Sequence, residues 1–294
     1  MAKEKKQNQQ PESESYNERS SYRSFDCGSF TVEGFSRGPV MTFWRVPEFK
    51  LGFDLGWQPW EFMGVPRYFL THTHLDHILA LPAYLARRMM MDMERPILYL
   101  PEEKVESVRR AIDAMAEVNG SPLECELVGV KPGDEIEVSR ELIVSVCKTY
   151  HSVPSVGYVV WERRNKLKPE YAELSGPEIR DLRASGVEIT AETRIPRFAY
   201  LGDSSPQGLD ENPAMYEADV LVAEMTRLDG PVEDQTQSYK SGHLSVGDYA
   251  LRRDKFKNKK IIAGHFSIRY SQEEIEEAVR QFLPDMLDGR LVLA

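Results

Sequence analysis

The stretch Thr71-His72-Thr73-His74-Leu75-Asp76-His77 constrains this chain more than any other. It follows Arg67-Tyr68-Phe69-Leu70, which reads as a short buried strand, and precedes a helix-patterned run from Ile78. Four side chains able to bind a metal, His72, His74, Asp76 and His77, therefore share one strand-to-helix loop. A loop can turn all four towards a common point, whereas a regular helix or strand of that length would point them apart. Imidazoles with a carboxylate suit a hydrolytic metal such as zinc rather than a soft, thiolate-bound structural one. The bland alternative is a histidine-rich surface loop. It suits two histidines better than His-x-His-x-Asp-His directly after an apolar strand.

The chain has only six histidines, and the three outside the loop sit at predicted strand ends or in a Gly/Ser turn. His151 follows Val144–Tyr150, and His265 follows Lys260–Gly264. His243 lies in Ser241-Gly242-His243-Leu244-Ser245, and Asp203 ends a strand in Tyr200-Leu201-Gly202-Asp203-Ser204. A lone strand-end histidine is usually structural. Beside the loop, these residues read better as parts of one shared site.

With 294 residues, 41% of them apolar, the chain is long enough for one large or two small domains. No apolar run approaches the ~20 residues of a membrane span. Met1 to Ser24 is polar, of mixed charge and without an apolar core, so it reads as a disordered tail rather than a secretion signal. Cys27, Cys125 and Cys147 form no Cys-x-x-Cys pair and read as reduced thiols in a cytoplasmic protein. The net charge of −10 argues against indiscriminate nucleic-acid binding. Two bound divalent metals and the run Arg252–Lys260, with six Lys/Arg against Asp254, would offset it locally.

The pattern predicts short antiparallel strands over Phe30–Gly56 and helices over Ile78–Met93 and Pro101–Val118. Strands are expected at Glu124–Val130, Glu137–Tyr150, Val156–Glu162, Phe198–Gly202, Val220–Glu224, Lys260–Gly264 and Arg290–Leu293. Further helices are expected at Val246–Lys255 and from Ser271 through Phe282. A charged interval, Lys166–Ile195, carries one short helix opening at Ser175, where Glu178 completes a capping box. Mixed strands and helices without a repeat indicate a single α/β sandwich over 25–294.

The order of loop, His, Gly-Asp-Ser and His resembles the metallo-β-lactamase superfamily. Within it, His265-Phe266-Ser267-Ile268-Arg269-Tyr270, His151 with Gly157-Tyr158, and Gly242-His243 are similar to the ribonuclease Z branch, the tRNA 3′-processing endonucleases. Lys166-Leu167-Lys168-Pro169-Glu170-Tyr171, Leu174-Ser175-Gly176 and Ser185-Gly186-Val187-Glu188-Ile189-Thr190 resemble its short, plant-type form. The likeness runs from about Phe30 to the C-terminus. Leu75 stands where many relatives carry glycine, and Asp203-Ser204 where many carry Asp-Thr.

The resemblance implies an αββα sandwich with two zinc ions, or other divalent metals such as Mn²⁺, at one edge. His72, His74, His151 and Asp203 would hold one, and Asp76, His77, Asp203 and His265 the other, with Asp203 bridging. Two such metals can polarise a phosphodiester and convert a water to hydroxide near neutral pH. Asp76 would orient that attack as general base, His243 would protonate the leaving ribose oxygen, and Glu224 would orient His243. The implied reaction removes the 3′ trailer of pre-tRNA, in a homodimer whose arm, residues 161–196, grips tRNA for the partner's site. That arm balances seven Lys/Arg against seven Asp/Glu, and Arg163, Arg164, Lys166 and Lys168 are its phosphate-contact candidates. Arg269 either touches phosphate or braces Phe266 and Tyr270. A phosphodiesterase for small phosphodiesters and a non-catalytic metal-binding scaffold stay open as alternatives.

Overall fold

The computed structural model describes residues 22–294. Two seven-stranded sheets lie face to face. The first runs in chain order: β1 (Arg23–Asp26), β2 (Thr31–Arg37), β3 (Met41–Val46), β4 (Leu51–Leu55), β5 (Arg67–Phe69), β6 (Ile97–Pro101) and β7 (Glu126–Val130). The second holds β8 (Glu135–Glu137), β9 (Leu142–Lys148), β10 (Val156–Leu167), β11 (Thr190–Tyr200), β12 (Val220–Glu224), β13 (Lys260–Gly264) and β14 (Leu291–Leu293). Its spatial order is β14-β13-β12-β11-β10-β9-β8.

Each sheet is antiparallel in its first half and parallel in its second, the parallel sets being β4 to β7 and β11 to β14. Sequence dictates the difference. Thr31–Arg37 alternates inward and outward, as a strand wetted on one face must. Val-Leu-Val-Ala-Glu in β12 is buried throughout, as a central parallel strand between two layers requires. The carboxyl ends of both parallel sets collect at one edge, where open α/β sheets place their ligands.

Three apolar layers hold the sandwich. Phe53, Phe69, Tyr158, Phe198, Val222 and Ile262 fill the space between the sheets. Leu81, Tyr84, Leu85, Val108 and Ile112, on helices Leu81–Met90 and Val105–Asn119, cover the first sheet. Val246, Tyr249, Ile275 and Val279, on helices Val246–Arg252 and Gln272–Phe282, cover the second. This is the expected αββα sandwich.

Several local expectations need correction. Of the segment read as a tail, 1–21 lie outside the described residues. Arg23 and Ser24 already belong to β1, which pairs with β2 and is tied across the molecule by the Arg23 guanidinium on the Leu293 carbonyl (2.7 Å). The helix expected over Ile78–Met93 is two, Leu75–Ile78 and Leu81–Met90. The strand expected over Val156–Glu162 runs five residues further to Leu167, because the charged interval folds back as β11 and supplies the partner strand. Beyond Glu162 this hairpin leaves β9 behind and projects away from the carboxyl edge, carrying the short helix Gly176–Ala184 with its Ser175/Glu178 capping box.

Candidate active site

The loop between β5 and helix Leu75–Ile78 is pinned from β4 by Asp54. Asp54 is fully buried in the left-handed region (φ 54°). Its carboxylate accepts from the Thr71 N–H (2.7 Å), the Thr71 hydroxyl (2.9 Å), His77 Nδ1 (2.7 Å) and the Tyr200 hydroxyl (2.6 Å). A buried carboxylate needs donors on that scale. An added Cβ at Gly56 would lie 1.7 Å from the Asp76 carbonyl oxygen, so only glycine lets the end of β4 meet the metal loop.

The other side chains arrive from the second sheet. His151 sits on the β9–β10 turn, Asp203 after β11, Glu224 at the end of β12, and His265 directly after β13. His265 has a left-handed backbone (φ 58°) and is seated against Gly38, where a Cβ would strike its ring at 2.5 Å. Such strain in a non-glycine residue is characteristic of positions whose side chain must be aimed.

The outer nitrogens of the rings fix their tautomers. His77 Nδ1 faces Asp54, His151 Nδ1 faces the Gly242 carbonyl (3.0 Å), and His243 Nδ1 faces Glu224 (3.0 Å). His72 Nδ1 lies 3.0 Å from the Thr71 hydroxyl, which itself donates to Asp54 and so must accept from the ring. His265 Nδ1 lies 3.0 Å from the Thr226 hydroxyl, which donates to Glu224 and must likewise accept. Every Nδ1 so held carries a proton, so the inward Nε2 is the lone pair of each neutral ring, and on His265 it can take a second proton shared with Asp76 and Asp203. His74 turns its Nδ1 inward instead, 3.1 Å from the Nε2 atoms of both His72 and His151.

These lone pairs cannot satisfy one another. Ligand atoms of His72, His74, His151 and Asp203 lie within 4.8 Å of one another, as do those of Asp76, His77 and His265. Asp203 joins both groups, with Oδ2 3.9 Å from His72 and His151 Nε2 and 3.4 Å from His265 Nε2, and Oδ1 3.6 Å from His77 Nε2. Four donors about 2.1 Å from a common centre sit roughly 3.4 Å apart, so the donor set and its spacing fit metal ions.

Electrostatics agree. Burial, together with the neighbouring His77, pushes His72 well below its ordinary range, and burial lowers His151, so both are neutral. Burial would lower His265 too, but Asp203 and Asp76 outweigh it and raise it to about 9; Asp203 and Asp54 do the same, more weakly, for His77. Burial would lift Asp203, yet His265, His77 and His72 hold it far below the usual carboxylate range. The carboxylates thus demand positive charge, which divalent ions would provide in place of protons.

Asp203, His243 and His265 also bring ligand atoms within 4.8 Å of one another. His243 differs in its support, because a carboxylate grips its outer nitrogen through two contacts (3.0 and 3.1 Å). Burial opposes protonation of His243, but the Glu224 charge and hydrogen bond prevail and raise its pKa. Glu224 is held in turn by the Ser204 N–H (2.8 Å) and the Thr226 hydroxyl.

The basic side chains singled out from sequence are not at this edge. Arg163, Arg164, Lys166 and Lys168 lie on or beyond the far half of β10. Arg163 is mostly buried and pairs with Glu137 (3.1 Å) and Glu192 (3.8 Å), and Arg164 pairs with Glu162 (2.6 Å), so neither is a free cation. Only Lys166 and Lys168 of that cluster form no ion pair among the described residues. In the run Arg252–Lys260, Arg252 and Lys255 pair with Asp210, Arg253 with Asp285 and Lys259 with Asp219, which neutralises most of it. Arg269 is exposed beside the site, and the brace on Tyr270 comes from Arg37, whose guanidinium donates to the Tyr270 carbonyl. Sequence reading missed Asp54, Thr71, Tyr200 and Thr226. The one available signal was an Asp within the apolar strand Leu51-Gly52-Phe53-Asp54-Leu55.

A two-sheet sandwich between helices, with a His/Asp cluster at the carboxyl edge, defines a metal-dependent hydrolase of the metallo-β-lactamase fold. The fold is that of the metallo-β-lactamase fold protein YhfI from Bacillus subtilis, matched over 88% of this chain and 91% of that one at 14% identity and a TM-score of 0.56. No family model matches the chain. It is 37% identical over 272 residues to tRNase Z TRZ1 of Arabidopsis thaliana, covering 92% of this chain and 96% of that protein. It is 33% identical over 259 residues to the same plant's chloroplastic tRNase Z TRZ2, covering 87% and 73%. The chain belongs to the tRNase Z family, metal-dependent endoribonucleases of this fold.

Proposed function

We propose that this chain is a dinuclear zinc endoribonuclease that removes the 3′ trailer from pre-tRNA and leaves a 3′-hydroxyl. The observation that carries the reading is the cluster of inward lone pairs with the Glu224–His243 pair beside it. His72, His74, His151 and Asp203 would hold one ion, and Asp76, His77, His265 and the shared Asp203 the other. When bound, the ions polarise the phosphodiester and acidify the attacking water. The chain's own residues do the rest. Asp76, whose carboxyl is held low by its hydrogen bond to His265 against the pull of burial, orients that water and accepts its proton. His243, its Nδ1–H fixed by Glu224, gives the Nε2 proton to the departing ribose 3′-oxygen.

The β10–β11 hairpin supports a homodimer. A 12-residue strand spans about 36 Å, so its tip stands on the side of the molecule opposite its own site. There it would grip tRNA for a second subunit's site. A cytoplasmic location is consistent with three free cysteines, and among the described residues no helix is long and apolar enough to cross a membrane.

The test is cleavage of a pre-tRNA transcript with both product ends mapped, run beside bis-nitrophenyl phosphate. A single cut after the acceptor stem, with a 3′-hydroxyl, is expected. Hydrolysis of the small diester alone would overturn the tRNA reading.

A further inference from the structure

His243 stands on a loop, Ser241–Ser245, and a loop aims a side chain only as well as its ends are held. The His243 ring lies 4.9 Å from that of His151 and 5.8 Å from that of His265. A small drift would therefore turn its Nε2 from a substrate oxygen towards the metal ligands. Glu224 fixes the ring's outer nitrogen but not the backbone that carries it.

One buried oxygen holds both ends of that loop. Asp248, on the first turn of helix Val246–Arg252, is 1% exposed. Its Oδ2 accepts from the Ser245 N–H and the Ser245 hydroxyl (2.8 Å each) at the far end of the loop. The same oxygen accepts from the Ser238 hydroxyl (3.2 Å), ten residues earlier on helix Thr236–Ser241. From Ser238 the hold passes to His243. The Ser238 carbonyl accepts from the Ser241 hydroxyl (2.8 Å), which in turn accepts from the His243 N–H (3.2 Å). Arg227 closes the frame. Its guanidinium donates to Ser238 Oγ (3.0 Å), its N–H donates to the Leu244 carbonyl (3.1 Å), and its carbonyl accepts from the Val246 N–H (2.9 Å).

The bland role for Asp248 is a helix cap, since it forms a capping box with Ser245. Two other capping boxes in the chain show what a cap alone looks like. Glu178 with Ser175, and Glu274 with Ser271, are exposed, and each carboxylate bonds only its own serine among the described residues. Asp248 instead is buried, reaches a second helix, and lies 3.9 Å from Arg227 and 3.8 Å from Arg252. Taking a carboxylate out of water is costly, and a cap does not require it. Resting on the reading of His243 as the acid, we propose that Asp248 is a positioning residue for that proton transfer, acting through Ser238 and Ser245 to hold the His243 loop.

The test compares two leaving groups, using the full chain. A ribose 3′-oxygen needs a proton to depart, whereas p-nitrophenolate leaves as a stable anion. Asp248→Ala should lower kcat for pre-tRNA roughly 10- to 100-fold, as misplacing a reacting group by about an ångström does. KM and metal content should be unchanged, and bis-nitrophenyl phosphate hydrolysis should stay within roughly twofold, since the metals are untouched. Ser238→Ala cuts the link while leaving the capping box whole, and should show the same selective loss; it carries the test if Asp248→Ala melts early. Asp248→Asn, which keeps an acceptor oxygen for both serines, should restore most of the rate. Equal loss on both substrates, no loss on either, or no rescue by asparagine would overturn the inference while leaving the pre-tRNA reading intact. His243→Ala is the reference. If it too slows both substrates equally, the acid assignment falls and this inference falls with it.

Discussion

Asp54 Oδ2 and His77 Nδ1 meet at 2.7 Å across 23 residues of sequence, and the same oxygen accepts from Tyr200 at 2.6 Å on the opposite sheet. One carboxylate therefore sets the tautomer of His77, a candidate metal ligand, and ties the two sheets together beneath the site. Asp54→Asn keeps the shape but replaces one acceptor oxygen with an NH₂ group that must face a donor. We expect metal affinity to fall about 10- to 100-fold, as is usual when a ligand's supporting partner is changed. Titration with a chelator of known affinity measures this. Affinity unchanged from wild type would mean that His77 does not depend on Asp54.

His151 belongs to one metal group only, whereas Asp203 faces both. Elemental analysis should give two divalent ions per wild-type chain, one in His151→Ala, and fewer than one in Asp203→Ala. A wild-type value of one would dismiss the dinuclear assignment.

His243 supplies a proton and no metal ligand in this reading. His243→Ala should lower kcat by about 10²–10⁴, as removal of a positioned acid does, with metal content intact. Loss of metal would make it a ligand.

Glu224 raises the His243 pKa, so the acid form survives to higher pH than in a free imidazole. Activity should hold below that pKa and fall as pH rises through it. Glu224→Gln removes the charge, lowers the pKa and so moves the alkaline limb of kcat against pH to lower pH. An unmoved limb would assign it to another group.

How much of this was visible in sequence follows from distance along the chain. The metal loop could be read because His72, His74, Asp76 and His77 are consecutive enough for a local pattern to carry the chemistry. Asp54 could not, because its donors come from 17, 23 and 146 residues away. Glu224 and His243, 19 residues apart, were suggested by resemblance to a family rather than by any local rule. Strands were anticipated from apolar stretches broken by Gly and Pro, and their arrangement in two sheets from the family resemblance. The far half of β10 was not, because Arg163-Arg164-Asn165-Lys166 has no apolar period and is a strand only by pairing with β11.

Register also decides the last prediction. Arg163 lies directly opposite Arg194, a like-charge pair that would be unfavourable alone. Glu192 meets both arginines (3.8 and 2.7 Å), while Glu137 holds Arg163 and Glu135 holds Arg194 (2.6 Å). Arg163 is therefore part of the hairpin's internal lattice, and within the Arg163–Lys168 cluster Lys166 and Lys168 are the cations that no carboxylate pairs. Replacing both lysines with alanine should raise KM for pre-tRNA at least about tenfold at moderate salt and make the log–log salt dependence of binding shallower by nearly two. Hydrolysis of bis-nitrophenyl phosphate should stay within roughly twofold, since nothing at the metals changes. Arg163→Ala should do the reverse, lowering the melting temperature while leaving the salt slope as in wild type. If Arg163→Ala instead flattens the salt slope and the double-lysine variant does not, the pairs open on binding and the buried arginine is the phosphate contact.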